Sequence, residues 1–179
     1  TRLQGQMRQD LDDMISMLDA TLTYLHEQRT SEAPQWMDVQ ALVESLSENA
    51  QDQGADVQAN GHCAPLQVQP MALRSCINNL MDNALRYAGQ ARIELQDQRE
   101  QLLIRVIDHG PGIAPEQRET LLRPFYRGAS DRGVPGTGLG LPVVERCVRR
   151  HGGEMQLLDA APGLAVRLRF PLAGRPPSV

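Results

Sequence analysis

The sequence predicts an α+β fold, a two-layer sandwich in which helices cover one face of a mixed β-sheet, with a long coiled-coil-like helix before it. Two observations favour this fold. Short apolar segments typical of strands mix with helical segments without a strict β-α-β alternation. The first 28 residues contain no proline and carry apolar residues at helical spacing. The 179 residues suffice for one domain with a sizeable core plus an appendage.

Residues 1–28 are predicted to form one helix, about 40 Å long at a rise of about 1.5 Å per residue. Its apolar residues recur every three or four positions and form one narrow seam. A helix packed on its own domain is one interpretation, but the length and narrowness of the seam favour one helix of a dimeric four-helix bundle. RTSEAPQ, residues 29–35, is the predicted linker. The seam consists of Leu3, Met7, Leu11, Met14, Leu18, Leu22 and Leu25.

End signals predict the other helices. Asp38 is a helix cap, and Gly54 follows the end of that helix. Pro70 opens the next helix and Gly89 stops it. Pro115 starts a short helix, and the last helix ends before two consecutive glycines. The predicted helices span 38–53, 70–88, 115–122 and 139–151.

Short runs of β-prone residues between turn signals predict the strands. Two central runs look like paired strands, and the last two look like a hairpin. The chain after Phe170 is rich in proline, and we expect a loose tail there. The predicted strands cover 56–59, 66–69, 91–96, 102–107, 155–158 and 164–170.

Composition narrows the function classes. The net charge is −4 and no basic patch rich in aromatic residues is present, so nucleic-acid binding has little support. The sequence carries neither an apolar run long enough to cross a bilayer nor a signal peptide pattern. Because Thr1 is not an initiator methionine, we expect the chain to be part of a longer protein. Three cysteines without metal-ligand spacing predict reduced, buried thiols in a cytosolic domain: Cys63, Cys76 and Cys147.

The helix that starts at Pro70 carries polar residues that can act together. Asn79, Asn83 and Arg86 share one side, with Tyr87 at its edge. An amide oxygen can ligate Mg²⁺, which keeps several waters and shares phosphate oxygens, so this side suits an anion with its cation. An ordinary solvated helix face is the alternative. The opposite stripe should be buried and consists of Leu73, Ile77, Leu80, Ala84 and Ala88.

Two glycine-rich segments follow. DHGPGI comes directly after an apolar strand, so Asp108 can reach a cleft while Gly110 and Gly112 allow a ligand close to the backbone. By itself this segment is also compatible with a simple Gly-Pro turn. GTGLGL, residues 136–141, precedes a helix, where backbone N–H groups can surround phosphate oxygens. A flexible hinge before that helix is the alternative.

Together these three segments resemble the N, G1 and G2 boxes of the ATP-binding catalytic domain of sensor histidine kinases, which has the Bergerat fold. PFYRG, residues 124–128, stands where that family carries its F box. The resemblance covers roughly residues 35–171. It implies that the N-terminal helix is the second helix of a dimerisation and phosphotransfer hairpin. The implied parts are this helix at 1–28, a linker at 29–35, the ATP-binding catalytic domain at 36–171 and a flexible tail at 172–179.

The resemblance implies ATP and Mg²⁺ as cofactors and assigns roles to the N-box residues. Asn83 is the implied Mg²⁺ ligand, and Asn79 is a supporting polar group. Arg86 stands where the family usually has lysine and should meet the phosphates. Arg127 matches the F-box arginine that can reach the terminal phosphates. Asn79, Arg86 and Arg127 are therefore the implied catalytic residues.

The same resemblance assigns the nucleotide contacts. Tyr87 should line the pocket, Asp108 should accept a hydrogen bond from the adenine amino group, and Ile113 should pack on the base. The segment between the F and G2 boxes, 128–135, corresponds to the family's lid over ATP. Gly110 and Gly112 complete the G1 contacts. The phosphate contacts are implied at Gly136, Thr137, Gly138, Leu139 and Gly140.

The N box also indicates the type of reaction. ATPases with this fold, such as type II topoisomerases, heat-shock chaperones and mismatch-repair proteins, carry a glutamate that activates water at the position of Asn79. A neutral amide cannot act as that base. The sequence therefore favours phosphoryl transfer to a protein over hydrolysis, with catalysis by positioning and charge neutralisation.

The phosphate acceptor is expected to lie outside this chain. HEQRTS, which begins at His26, resembles the H box of histidine kinases, but Ser31 replaces the expected proline. His26 also lies at the end of a helix and too close to the N box, because the family separates the two boxes by a whole helical hairpin. We therefore expect the chain to lack the phosphoacceptor histidine.

The resemblance implies three partners: the H-box helix of the parent kinase, a second copy bound through the N-terminal helix, and the receiver domain of a response regulator. It implies a cytoplasmic location and a parent sensor kinase in the inner membrane. The alternative function is a degenerate nucleotide-binding module that regulates a partner through nucleotide-dependent dimerisation, without chemistry.

Overall fold

A computed structural model describes residues 1–29, 32–123 and 140–172. Its strands form two sheets. Five strands form a sheet in the order β2-β4-β5-β7-β6, in which β2 is parallel to β4 and every other pair is antiparallel. Two short strands, β1 and β3, pair separately. The strands are β1 (Gln35–Met37), β2 (Asp56–His62), β3 (Leu66–Val68), β4 (Gln90–Gln98), β5 (Gln101–Ile107), β6 (Glu154–Asp159) and β7 (Leu164–Pro171).

The helices begin and end close to the predicted positions. The Asp38 side chain accepts a hydrogen bond from the amide of Ala41 at 3.0 Å, which caps the second helix. Gly89 adopts φ +73° and its N–H donates to the carbonyl of Leu85 at 2.9 Å, which ends the third. The helices are α1 (Arg2–Arg29), α2 (Val39–Asp52), α3 (Pro70–Ala88), α4 (Pro115–Arg118) and α5 (Gly140–Arg150), with a 3₁₀ turn at Thr120–Leu122.

The core lies between one face of the five-stranded sheet and the helices α2, α3 and α5. Ile93 and Ile104 point into it and are fully buried. Their neighbours along the strands point to the other face, where Arg105 forms an ion pair with Glu94 at 2.8 Å. This alternation confirms the predicted α+β sandwich with helices on one face of a mixed sheet.

The first strand was not predicted. The predicted linker ends at Gln35, but in the structure Gln35–Met37 pairs with β3, with Trp36 opposite Gln67. Three residues are too few to display an alternating pattern, and the pairing partner lies about thirty positions further along the chain.

The segment just before β1 is held to the start of α3 by hydrogen bonds. The carboxylate of Glu32 accepts a hydrogen bond from the amide of Met71 at 2.9 Å, and its carbonyl accepts one from Nε2 of Gln69 at 2.6 Å. The amide of Gln69 in turn donates to Nε2 of His151 at 3.0 Å. These bonds satisfy donors at the first turn of α3 and connect that turn to the end of α5.

The predicted seam on α1 is exposed. Its seven residues retain between 44% (Leu25) and 69% (Leu3) of their accessible surface, so the described domain does not cover them. α1 contacts α5 with a different face, which includes Tyr24. None of the described helices combines the length and the hydropathy that a membrane crossing requires.

The cysteines only partly match expectation. All three are thiols, and Cys76 and Cys147 lie in the core as predicted. Cys63 is partly exposed rather than buried, because it follows the end of the edge strand β2.

Candidate functional site

Asp108 is a buried carboxylate at the end of β5, with 6% of its surface exposed. Its Oδ1 accepts hydrogen bonds from the amides of Gly110 at 2.9 Å and Leu164 at 3.2 Å. Its own amide donates to the carbonyl of Leu164 at 3.0 Å. Among the described residues, every hydrogen bond to this carboxylate ends on Oδ1. Oδ2 can therefore accept a hydrogen bond from a donor group of a ligand.

The loop after Asp108 lies against the end of α3. A Cβ atom added to Gly110 would lie 2.9 Å from Cβ of Ala88 and 3.3 Å from the carbonyl oxygen of Tyr87. A side chain at position 110 would therefore separate the loop from the helix. This contact brings the predicted N and G1 boxes together in space.

A second glycine contact joins the same loop to the turn between β6 and β7. Gly112 has φ +72° and Gly163 has φ +105°, a backbone region that favours glycine. A Cβ atom on Gly112 would lie 3.0 Å from the carbonyl oxygen of Gly163. The turn that contains Gly163 is thus part of the surroundings of Asp108.

The polar side of α3 has the predicted composition. Asn79, Asn83 and Tyr87 are partly buried, and Arg86 is exposed. The opposite stripe is buried as predicted except at Ala88, which is partly exposed because it lies in the last turn beside Gly110. The two amides therefore lie one turn apart on the side of α3 that does not face the core.

Asp82 adds a carboxylate to this region that the motif comparison does not use. Partial desolvation of its carboxyl group raises the pKa of Asp82. The positive charge of Arg86, one turn later on the helix, lowers this pKa by a smaller amount. Asp82 directly precedes Asn83, so this anion lies near the proposed phosphate contacts.

The remaining predicted site residues differ in how far the structure describes them. Ile113 is partly buried and packs against the core cluster, and Gly140 is the first residue of α5. Four of the predicted phosphate contacts and the F-box arginine lie outside the described residues. These are Gly136, Thr137, Gly138, Leu139 and Arg127.

The donors of this region fit a magnesium ion held together with a nucleotide. Within the part of the chain that the structure describes, His, Cys, Asp and Glu nowhere form a group of three that could hold a metal by themselves. An amide oxygen such as that of Asn83 is a hard donor that suits Mg²⁺ when phosphates and water supply the other ligands. The residues present therefore fit a metal that arrives with ATP.

Comparison with known families decides the classification. The model of the histidine kinase-, DNA gyrase B-, and HSP90-like ATPases matches residues 68–174. The chain belongs to this family. The matched region of this ATPase domain includes α3, the Asp108 loop and the turn at Gly163.

Related proteins narrow the classification to the ATP-binding domain of histidine kinases. The sensor histidine kinase GtrS of Pseudomonas aeruginosa is 35% identical over 175 residues, which is 97% of this chain and 36% of that protein. The chain thus spans about a third of the length of this curated relative.

Solved structures agree with the fold. Full-length ShkA in complex with AMPPNP superposes with a TM-score of 0.75 at 20% identity, covering 93% of this chain and 37% of that one. The mycobacterial sensor histidine kinase MprB gives a TM-score of 0.62 at 27% identity, covering 77% of this chain and 97% of that one.

Two features of this histidine kinase ATPase domain were missed in the sequence. The backbone of Gly163 and Leu164 holds Asp108, but the Pro-Gly pair at 162–163 indicates only a turn between strands. No sequence pattern indicates the contact between Tyr24 and Arg146, because tyrosine and arginine are both common on the outside of any helix.

Proposed function

We propose that this chain binds Mg-ATP and donates the γ-phosphoryl group to a histidine on the H-box helix of a sensor histidine kinase, for relay to an aspartate of a response regulator. One observation carries the proposal. The amide-bearing helix α3 ends against the loop of the buried Asp108, at the contact between Ala88 and Gly110. The proposed base acceptor and the proposed phosphate-facing side of α3 would therefore belong to one continuous region.

The base is proposed to bind at Asp108. Oδ1 of Asp108 accepts hydrogen bonds from two backbone amides, and Oδ2 would accept a hydrogen bond from the exocyclic amine of adenine. Ile113 would pack on the ring, and Tyr87 would line the pocket beside it. A buried acceptor that loses its donor costs free energy, so this arrangement would select adenine over guanine.

The phosphates are proposed to lie along α3 and at the start of α5. Asn83 would hold Mg²⁺ through its amide oxygen, with Asn79 beside it, and the ion would neutralise charge on the β- and γ-phosphates. Arg86 is exposed and free to approach them. Gly140 opens a helix whose N-terminus favours an anion. Arg127 and residues 136–139 would complete this set.

The amide side chain of Asn79 favours transfer of the γ-phosphoryl group to a protein over hydrolysis of ATP. An amide cannot remove a proton from water, so the acceptor must be a stronger nucleophile that is brought into place. In the proposed reaction an imidazole nitrogen forms the new N–P bond while the bond between the γ-phosphorus and the β-γ bridging oxygen breaks. ADP leaves, and the imidazole loses its N–H proton to solvent.

The partners are proposed from the exposed seam of α1. Seven apolar side chains on one stripe suit a second copy of the chain in a helical bundle. The H-box helix of the parent kinase and a receiver domain would complete the system, in the cytoplasm beneath an inner-membrane sensor. GtrS and MprB, two proteins similar to this chain, are both named sensor histidine kinases, which supports this assignment.

Transfer to a separate acceptor tests the proposal. The chain would be incubated with γ-labelled ATP, Mg²⁺ and a domain that carries the H box, and acid-labile label should appear on that domain. Asn83→Ala should abolish the label while the circular dichroism spectrum stays unchanged. Tight binding of Mg-ATP without any transfer would instead favour the nucleotide-dependent binding module.

A further inference from the structure

Gly163 lies between two parts of the loop that carries Asp108. It is buried in the turn between β6 and β7, with φ +105°. A Cβ atom at this position would lie 2.0 Å from the carbonyl oxygen of Asp108 and 2.8 Å from Cα of His109. Its own carbonyl oxygen lies 3.0 Å from where a Cβ on Gly112 would be. Only a residue without a side chain lets these two loops approach so closely.

The close approach has a consequence for the carboxylate. The amide of Leu164, the next residue, donates a hydrogen bond to Oδ1 of Asp108 at 3.2 Å. The carbonyl oxygen of Leu164 accepts a hydrogen bond from the amide of Asp108 at 3.0 Å. Both bonds depend on the distance that Gly163 sets between the backbones. Because an ordinary contact for a Cβ is 3.4–4 Å, a methyl group at 163 would have to displace the Asp108 carbonyl by more than about 1 Å.

We infer that Gly163 is a positioning residue for base recognition: it holds the Asp108 carboxylate so that Oδ1 is taken by backbone amides and Oδ2 faces the base. This inference rests on the proposed function, since it gives Asp108 the role of adenine acceptor. Gly163 would touch neither the base nor the phosphates. It acts through Asp108 alone, and so its replacement should reduce the preference for ATP and not only weaken the binding of every nucleotide.

The chain offers a matched control for the steric effect. Gly61 in β2 has φ +94°, and a Cβ there would lie 2.0 Å from the carbonyl oxygen of Leu95. Gly61→Ala therefore introduces the same kind of clash with a backbone carbonyl in a similar backbone conformation. Gly61 lies on the edge strand β2, and the strand β4 separates it from β5 and Asp108. Its substitution should lower stability without changing nucleotide preference.

The experiment compares ATP with purine riboside triphosphate, which lacks only the exocyclic amine. Wild-type chain should prefer ATP by about tenfold or more, as expected when a buried acceptor loses its donor. In Gly163→Ala this ratio should fall towards one, whereas Gly61→Ala should keep the wild-type ratio. If Gly163 had a purely structural role, its replacement would weaken the binding of both nucleotides equally. The affinity ratio would then stay at the wild-type value, and this result would overturn the inference.

A measurement on the wild-type chain covers the case in which Gly163→Ala does not fold. The amide proton of Leu164 reports its bond to Asp108, so its NMR shift should respond to ATP more strongly than to purine riboside triphosphate. The amide of Ala41, bonded to Asp38, should respond to neither. Equal responses of Leu164 to the two nucleotides would overturn the inference. A wild-type chain that binds neither nucleotide would instead overturn the proposed function itself.

Discussion

The guanidinium group of Arg146 donates a hydrogen bond to the hydroxyl of Tyr24 at 3.2 Å and lies over the same ring, with Cζ 5.5 Å from its centroid. The pair joins α1 to α5, the helix that follows the predicted phosphate loop. Tyr24 precedes the seam residue Leu25, and successive helical residues are about 100° apart around the axis. α1 can therefore contact the sheet-containing domain of its own chain with one face while the seam stays available to a partner.

Removal of this contact should loosen α1 from the domain. A partly exposed cation–π pair contributes about 0.5–1 kcal/mol, so Tyr24→Ala should broaden the distance distribution between spin labels on α1 and α5. The melting temperature should change little. Tyr24→Phe keeps the ring and loses the hydroxyl, and its distribution should lie between the two. An unchanged distribution in Tyr24→Ala would mean that other contacts hold α1.

Asn83→Ala should remove the Mg²⁺ dependence of ATP binding and leave the fold intact. The amide oxygen is the only contribution of this residue to the proposed metal site, and its side chain is only partly buried. Titration calorimetry with and without Mg²⁺ measures the effect. Asn78→Ala is the matched control, because Asn78 is partly buried on the same helix but on a different side. Equal Mg²⁺ dependence in Asn83→Ala and wild type would place the metal elsewhere.

Asp108→Ala should weaken ATP binding by about 1–3 kcal/mol, the cost of losing a hydrogen bond at a buried group. GTP binding should already be weak in the wild-type chain, because a carboxylate faces the carbonyl of guanine. Competition between the two nucleotides for a fluorescent ATP analogue gives both values. If the wild-type chain bound GTP as tightly as ATP, Asp108 would not be the base acceptor.

Asp82 predicts a pH-dependent stability. Because its pKa is raised in the folded chain, the folded state favours the protonated carboxyl. Its ionisation therefore lowers stability as the pH rises from the ordinary value of 3.8 through the raised pKa. Asp82→Asn should raise the denaturation midpoint at pH 7, and this gain should shrink as the pH falls towards 4. A gain that stays constant over this range would assign the effect to something other than ionisation.

The chain alone should not label itself with γ-labelled ATP. His26 is exposed near the end of α1 and lacks the proline that follows an H box, and an acceptor must approach the γ-phosphate within about 3–3.5 Å. ATPase turnover should also be low, because Asn79 is no general base. Strong acid-labile labelling that disappears in His26→Gln would contradict this and make His26 the acceptor.

Local signals explain which parts of this structure the sequence could predict. The sequence predicts both ends of α3, because Pro70 starts the helix and Gly89 ends it through effects confined to the helix turn in which each residue lies. β1 was missed because its only support is a pairing with a distant strand. The need for a glycine at position 163 was missed for the same reason: the atoms that require it belong to Asp108 and His109, far away along the chain.

The bond between Glu32 and the first turn of α3 has a mechanical consequence. α3 is 19 residues long, about 28 Å at a rise of about 1.5 Å per residue, and its far end rests on the loop at Gly110. A force or torque that reaches Glu32 would therefore act on the N-terminal end of α3, which is a stiff helix. The two amides lie along α3, and the proposed base acceptor lies beyond its far end, so a movement of α3 would change the spacing between the proposed base contact and the proposed phosphate contacts.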